Sequence, residues 1–204
     1  MGTRWAVLAI VTIAFGVLSF VLVGLAGPIS VPVQAQPLAA PTAFDCSTVA
    51  EISQVECAAL VDLYNSTAGA SWITSTDWLV TNTPCSWYGI GCVGGKVYHL
   101  VLPFNQLDGP LPETIGNLVH LRSLKLFSNR LTGPIPATVG NLTNLVDLQL
   151  YDNQLNGALP STLGNLTQLE RLYLNDNQLT SSISPEIGAL VSLQGLLLYN
   201  NQLT

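Results

Sequence analysis

Charge is scarce in this chain: only 9% of its residues are Asp, Glu, Lys or Arg, and the 6 basic ones are outnumbered by 12 acidic ones. A formal net charge of −6 with no basic run offers no electrostatic footprint for a phosphate backbone, so nucleic acid is excluded as a partner. Histidine is limited to His99 and His120, and the carboxylates are spread thinly along the second half of the chain. No triad, dyad or metal cluster can be assembled from such a set, and there is no glycine-rich phosphate loop. The sequence therefore reads as non-enzymatic and free of cofactors. The four cysteines, Cys46, Cys57, Cys85 and Cys92, lack paired Cys-x-x-Cys spacing, which argues against a zinc site, and none lies beyond Cys92.

Long apolar runs occur only once, at the amino terminus. Arg4 precedes an uncharged stretch from Trp5 to Ala26, and Val33-Gln34-Ala35 offers small or apolar residues where a signal peptidase reads. Residues 1–35 are expected to direct export, cleaved after Ala35 or retained as a membrane anchor, the stretch being long enough to span a bilayer. In either case Arg4 stays inside and the rest of the chain lies outside. Residues 36–45, rich in proline and alanine, read as a linker. In an oxidising compartment four cysteines imply two disulfides, with three possible pairings.

Leucine dominates the remainder. Leu100, Leu124, Leu148, Leu172 and Leu196 open five copies of one phrase, a period of 24 residues, the fifth copy being incomplete at Thr204. Such a period is the mark of a solenoid. Leu124 and Leu126, like their counterparts, alternate with other residues as in a short strand with one buried face. Asn105, Asn129, Asn153, Asn177 and Asn201 recur between inward leucines. A buried amide must have its donors and acceptor met, and stacked identical turns supply backbone groups at the strand spacing of about 4.8 Å, so these residues are expected to form a structural ladder. Gly109-Pro110, Gly133-Pro134 and Gly157-Ala158 turn the chain outward, and the Gly-Asn-Leu segments at Gly116, Gly140 and Gly164 return it through a short 3₁₀ turn.

These residues resemble the extracellular plant-type leucine-rich repeat, with consensus Leu-x-Leu-x-x-Asn-x-Leu-x-Gly-x-Ile-Pro-x-x-Ile-Gly-Asn-Leu. Ser181-Ser182-Ile183-Ser184 in the fourth unit departs from it. The resemblance implies an α/β solenoid: a right-handed superhelix with a concave parallel β-sheet, repeats over 99–204, and a disulfide-stapled cap over 46–98 containing one helix. Cys85-Ser-Trp-Tyr-Gly-Ile-Gly-Cys92 is similar to that family's cap motif, where the two cysteines bridge each other. That pairing implies Cys46 with Cys57. The latter requires that no unbroken helix run between them, since it would hold their α-carbons roughly 16 Å apart. Ser53-Gln54-Val55-Glu56 reads as a capping box, so a helix is expected to start there, presenting Val55, Ala59, Leu60 and Leu63 and ending near Asn65. Trp72, Trp78 and Trp87 are expected to cover the first coil as cap anchors.

Residues alternating with the strand leucines are expected to face outward as columns on the concave sheet. Phe127, Tyr151, Tyr173 and Tyr199 make an aromatic diagonal, bordered by Lys125, Arg130, Asp152, Asp176, Gln154 and Gln178. Stacking beside hydrogen bonding suits an extracellular protein, peptide or glycan, while cross-strand packing alone would also account for the rings. Arg122, Lys125 and Arg130 stand near Asp147 and Asp152 and read as surface ion pairs. Asn65, Asn141 and Asn165 begin Asn-x-Ser/Thr triplets. Relatives of this family serve as receptor ectodomains and as inhibitors of wall-degrading enzymes. A binding module is therefore expected, monomeric when complete, the alternatives being a ligand-free surface scaffold or a piece of a membrane receptor. An array stopping within a coil at Thr204 reads as a truncated frame or a fragment.

Overall fold

A computed structural model describes residues 44–204; the expected leader and most of the expected linker lie outside the described residues. In chain order the structure comprises helix α1 (Gln54–Ser66), then β1 (Ile90–Val93), β2 (Lys96–Val101), β3 (Asp108–Pro110), β4 (Ser123–Lys125), β5 (Arg130–Pro134), β6 (Asp147–Gln149), β7 (Gln154–Ala158), β8 (Arg171–Tyr173), β9 (Gln178–Ser181), β10 (Gly195–Leu197) and β11 (Gln202–Leu203). Short 3₁₀ segments fall on each return path, at Glu113–Asn117, Ala137–Asn141, Ser161–Asn165 and Pro185–Ala189.

The strands β1-β2-β4-β6-β8-β10 form one sheet, parallel except where β1 of the cap joins antiparallel. Each parallel pair matches residues one period apart, Leu100 with Leu124 and Leu124 with Leu148. The leucine alternation places Leu100, Leu102, Leu124, Leu126, Leu148, Leu150, Leu172 and Leu174 fully inside. A second parallel sheet, β3-β5-β7-β9-β11, lines the segment after each ladder asparagine. The sequence reading had this stretch only as a turn around the outside. Its strands are short and contain glycine and proline, poor sheet formers, so their pairing is dictated by the stacking of coils and not by propensity.

The asparagines form the expected ladder. In each coil the Oδ1 accepts from a backbone N–H of the preceding coil, as in Leu107 to Asn129 (3.0 Å), Leu131 to Asn153 (2.9 Å), Leu155 to Asn177 (3.0 Å) and Leu179 to Asn201 (2.9 Å). The Nδ2 donates back to carbonyls of both coils; Asn153 bonds Leu126 O and Leu150 O, each at 3.0 Å. Asn105 makes the same bonds to the cap, accepting from Thr74 N and donating to Thr74 O. Asn105 and Asn177 are buried, whereas Asn129, Asn153 and Asn201 are half-buried.

The return segments stack so closely that only glycine fits at Gly116, Gly140 and Gly164. A Cβ on Gly140 would lie 2.5 Å from the Thr162 carbonyl oxygen, and the other two meet the neighbouring coil in the same way. In the fourth unit the departing Ser181-Ser182-Ile183-Ser184 still leads into a 3₁₀ turn at Pro185–Ala189, with Ser181 at φ 71° where Gly133 and Gly157 stand in the units before it.

Cap and first coil share one apolar interior. Ser53 caps α1 through a reciprocal capping box with Glu56. Ala59, Leu60 and Leu63 are buried as expected, but Val55 is 57% exposed. The residue buried in its place is Glu56, whose Oε2 accepts from Ser53 and whose Oε1 accepts from Val97 N (3.1 Å), tying helix to sheet. Cys46 bridges Cys57 and Cys85 bridges Cys92. Trp72, Trp78 and Trp87 are buried, and each indole N–H donates to a backbone carbonyl: Thr67, Tyr88 and Thr81. Phe44, expected in the linker, packs edge-on against Trp87 at 5.3 Å, and Asp45 caps the turn at Cys46–Thr48, so the packed cap begins earlier than residue 46.

Candidate functional site

The outward positions of β4, β6, β8 and β10 bring together Ser123 and Lys125, Asp147 and Gln149, Arg171 and Tyr173, Gly195 and Leu197, with Phe127, Tyr151, Asn175 and Tyr199 just beyond the strand ends. The aromatic diagonal is continuous at one end: Phe127 stacks on Tyr151 with centroids 4.6 Å apart and planes 8° from parallel, and Phe104 meets Phe127 edge-on at 5.3 Å. Cross-strand stacking therefore holds these two rings in place while leaving them half-exposed. Tyr199 is 57% exposed. Tyr173 lies across β10 because Gly195 has no side chain there; a Cβ would stand 2.9 Å from the Tyr173 hydroxyl.

Asp147 differs from its expected surface role. Its side chain is only 6% exposed, gripped by Lys125 Nζ at 3.0 Å and by Arg171 Nε at 3.1 Å, with Gln149 Nε2 donating at 2.8 Å. Burial pushes its carboxyl upward in pKa, but hydrogen bonds from Lys125, Gln149 and Arg171 and the Lys125 charge outweigh it, leaving the carboxyl below its usual value. Such a buried, doubly paired carboxylate is a fixed part of the face, since removing a partner strands a charge. Among the described residues Arg122, Arg130 and Asp152 form no ion pair, contrary to the expected cluster. A hollow of about 590 Å³ opens here, lined by His99, Arg122, Lys125, Asp147, Glu170 and Arg171.

Two expected columns fall elsewhere. Asp152 and Asp176, with Phe104, Ser128 and Asn200, take left-handed φ between 53° and 56°, forming the corner between the two sheets. Asp and Asn tolerate that conformation, and Phe does not favour it. Arg130, Gln154 and Gln178 are the exposed first residues of β5, β7 and β9 and belong to the second sheet. They flank the concave face and do not line it. The corner still contributes polar groups: Asp176 Oδ2 accepts from Asn175 Nδ2 and Asp176 Oδ1 from Asn200 Nδ2, each at 2.6 Å, and these bonds hold its carboxyl low in pKa.

A second hollow, of about 220 Å³, lies between Tyr151, Tyr173 and Tyr199, with Gln149, Asn175 and Leu197 completing it. Burial, the nearby Asp152 charge and Tyr199 raise the Tyr151 phenol above its usual pKa, so it remains a neutral hydroxyl. Asn175 stands one period after Tyr151, and nothing in its own repeat distinguishes it from the other outward positions. Its burial beside Asp176 depends on both neighbouring coils, a signal absent from any single repeat.

The repeat face matches a known pattern: the leucine-rich repeat region model fits residues 97–203. The chain belongs to the leucine-rich repeat family. Its repeats are of the extracellular plant type, and the receptor relatives and the disulfide-stapled cap place the module on the extracellular side of the membrane. A probable inactive receptor kinase, RLK902 of Arabidopsis thaliana, is 51% identical over 51 residues, covering 24% of this chain and 8% of that protein. The chain thus spans under a tenth of the length of the curated relatives it matches. Among solved leucine-rich repeat structures, the BIR3–SERK2 complex from Arabidopsis thaliana is 30% identical with TM-score 0.63, over 73% of this chain and 83% of that one. A plant ice-binding protein is 26% identical with TM-score 0.67, over 76% of this chain and 50% of that one. Similar solenoids thus carry different roles, and the ligand must be argued from the residues on the face.

Proposed function

We propose that this leucine-rich repeat chain is a non-catalytic extracellular module that binds a protein, peptide or glycan through its concave face. The observation carrying this reading is the open concave sheet bearing the stacked Phe127 and Tyr151 beside Tyr173 and Tyr199, with Lys125 close by. Large rings held in place by packing, yet partly open to solvent, supply contact area at low cost in side-chain freedom. Asp176 and Asp152 at the corner, and Arg130, Gln154 and Gln178 on the flanking sheet, would form a polar rim. Support for a protein or peptide partner comes from the similar BIR3–SERK2 structure, a complex of two proteins.

A second reading is that the chain is a fragment of a membrane-receptor ectodomain. It is favoured by the small share of each curated relative that the chain spans.

The test is a binding screen of the secreted chain against extracellular peptides, receptor ectodomains and oligosaccharides, repeated with Phe127, Tyr151, Tyr173 and Tyr199 all changed to alanine. Binding that disappears in the variant while Tm stays within a few degrees supports recognition by this face. Binding that survives the four substitutions moves the site elsewhere, and no binding to any class favours a ligand-free scaffold.

A further inference from the structure

We propose that the hollow between Tyr151, Tyr173 and Tyr199 is a subsite for one neutral sugar ring, organised around Asn175; this rests on the reading of the concave face as a ligand surface. Asn175 is 4% exposed, and its Oδ1 is buried with no hydrogen-bond partner. Its Nδ2 is 2.6 Å from Asp176 Oδ2, which fixes the orientation of the amide, because an oxygen in that position would face a carboxylate. Asn175 lines the hollow while Asp176, which holds its Nδ2, does not, so Oδ1 is the end of the amide that no protein group engages. Buried acceptors are almost always paired, and one left open beside a ligand-sized depression is matched by a donor that the protein itself does not supply.

The rest of the lining defines that donor's surroundings. Gln149, Tyr151, Tyr173, Asn175, Leu197 and Tyr199 carry no charge, so the occupant is neutral. Tyr151, Asn175 and Tyr199 stand one period apart in the sequence and line the hollow together, and Tyr151 keeps its hydroxyl proton at neutral pH. A volume of about 220 Å³ is below the usual range for drug-sized ligands, about 300–1,000 Å³, and suits one ring in place of a folded chain. A sugar ring combines what is required: C–H faces that stack on aromatic rings, and hydroxyls that donate to Asn175 Oδ1 while exchanging hydrogen bonds with the tyrosines. An aliphatic or phenyl side chain from a peptide would leave the Asn175 oxygen unpaired, and an acidic one would find no counter-charge in the lining and two carboxylates, Asp152 and Asp176, close to it. The oxygen lies just below the surface, so the ring's arrival must move a neighbouring side chain before the bond can close.

The full chain would be titrated calorimetrically with cellohexaose, xylohexaose, mannohexaose and chitohexaose, and panned in parallel against a displayed random-peptide library. At least one hexasaccharide is expected to bind. Asn175→Leu and Tyr199→Ala should each weaken it by about tenfold or more, the usual result of deleting one hydrogen-bond partner or one stacking face in a ligand site. Asn175→Leu removes an unpaired buried oxygen together with the Nδ2 bond to the half-buried Asp176, two opposing effects that should leave the unliganded Tm little changed; should that variant misfold, the exposed Tyr199→Ala decides the matter alone. Sugar binding unaffected by these substitutions, or none of the four hexasaccharides binding at millimolar concentration, overturns the inference. If peptides bind and Tyr199→Ala abolishes them while no sugar binds, the sugar subsite falls and the concave-face reading stands. If neither class binds, the sugar subsite falls, and the screen against receptor ectodomains decides the concave-face reading.

Discussion

At the scale of single residues, the ladder asparagines set the geometry of every coil. Asn153 accepts from Leu131 and donates to Leu126 and Leu150, so it satisfies backbone groups of two coils at once. Asn153→Leu keeps the branching and heavy-atom count of the side chain and deletes all of these bonds, which should cost about 1–3 kcal/mol for the buried groups left unpaired. Thermal unfolding should show this as a drop of about 2–4 °C for each kcal/mol lost, and an unchanged Tm would remove the ladder's stabilising role. The ladder was legible in the sequence because an amide between inward leucines has few other uses. The left-handed corner was only partly so: Asp152, Asp176 and Asn200 are types that tolerate it, but Phe104 and Ser128 occupy the same place in their coils and break the pattern. The unpaired oxygen of Asn175 was hidden, since its orientation is set by Asp176 and its burial by its neighbours in space.

At the scale of elements, the concave strands were readable from leucine alternation, and α1 from its capping box, with one error that has a clear cause. Helical spacing marked Val55 as inward, but Glu56 takes that place because its carboxylate bonds both the helix start and Val97 of β2. The second sheet escaped notice because its strands are brief and carry Gly and Pro; only the stacking of coils pairs them. That stacking is tightest on the return segments. Gly140→Ala would bring a Cβ 2.5 Å from the Thr162 carbonyl oxygen, and should destabilise by about 1–3 kcal/mol as overpacking does. Gly188, with nothing within 4 Å of its would-be Cβ, is the internal control. Gly188→Ala should leave the chain's Tm nearly unchanged, and equal losses in the two variants would point to backbone conformation in place of close stacking.

At the scale of the whole molecule, one apolar interior runs from Val49 and Leu60 of the cap to Leu179 and Leu190 of the repeats. A repeat array in which each unit contacts only its neighbours melts as one body when every interface is strong. The three tryptophans among the described residues, Trp72, Trp78 and Trp87, all lie in the cap, whereas most strands lie in the repeats. Tryptophan fluorescence and far-UV circular dichroism should therefore trace coincident transitions in denaturant. An earlier fluorescence transition would show the cap opening independently. The class of fold and the period could be read from the sequence, because repetition multiplies weak local signals, whereas the disulfide pairing followed from the resemblance of Cys85–Cys92 to the family's cap motif. The ligand could not, because the concave positions are the ones the repeat leaves free to vary.

The ladder also has a consequence for the gene. Each asparagine completes the hydrogen bonding of the coil before it and leaves its own following N–H to be met by the next, so whole periods can be duplicated or lost without orphaning a group of the ladder. A deletion or insertion of any other length would break that pairing at the junction. Recombination between copies in register thus lengthens or shortens the array while preserving its fold, and each new copy brings a fresh set of outward positions on which selection can act.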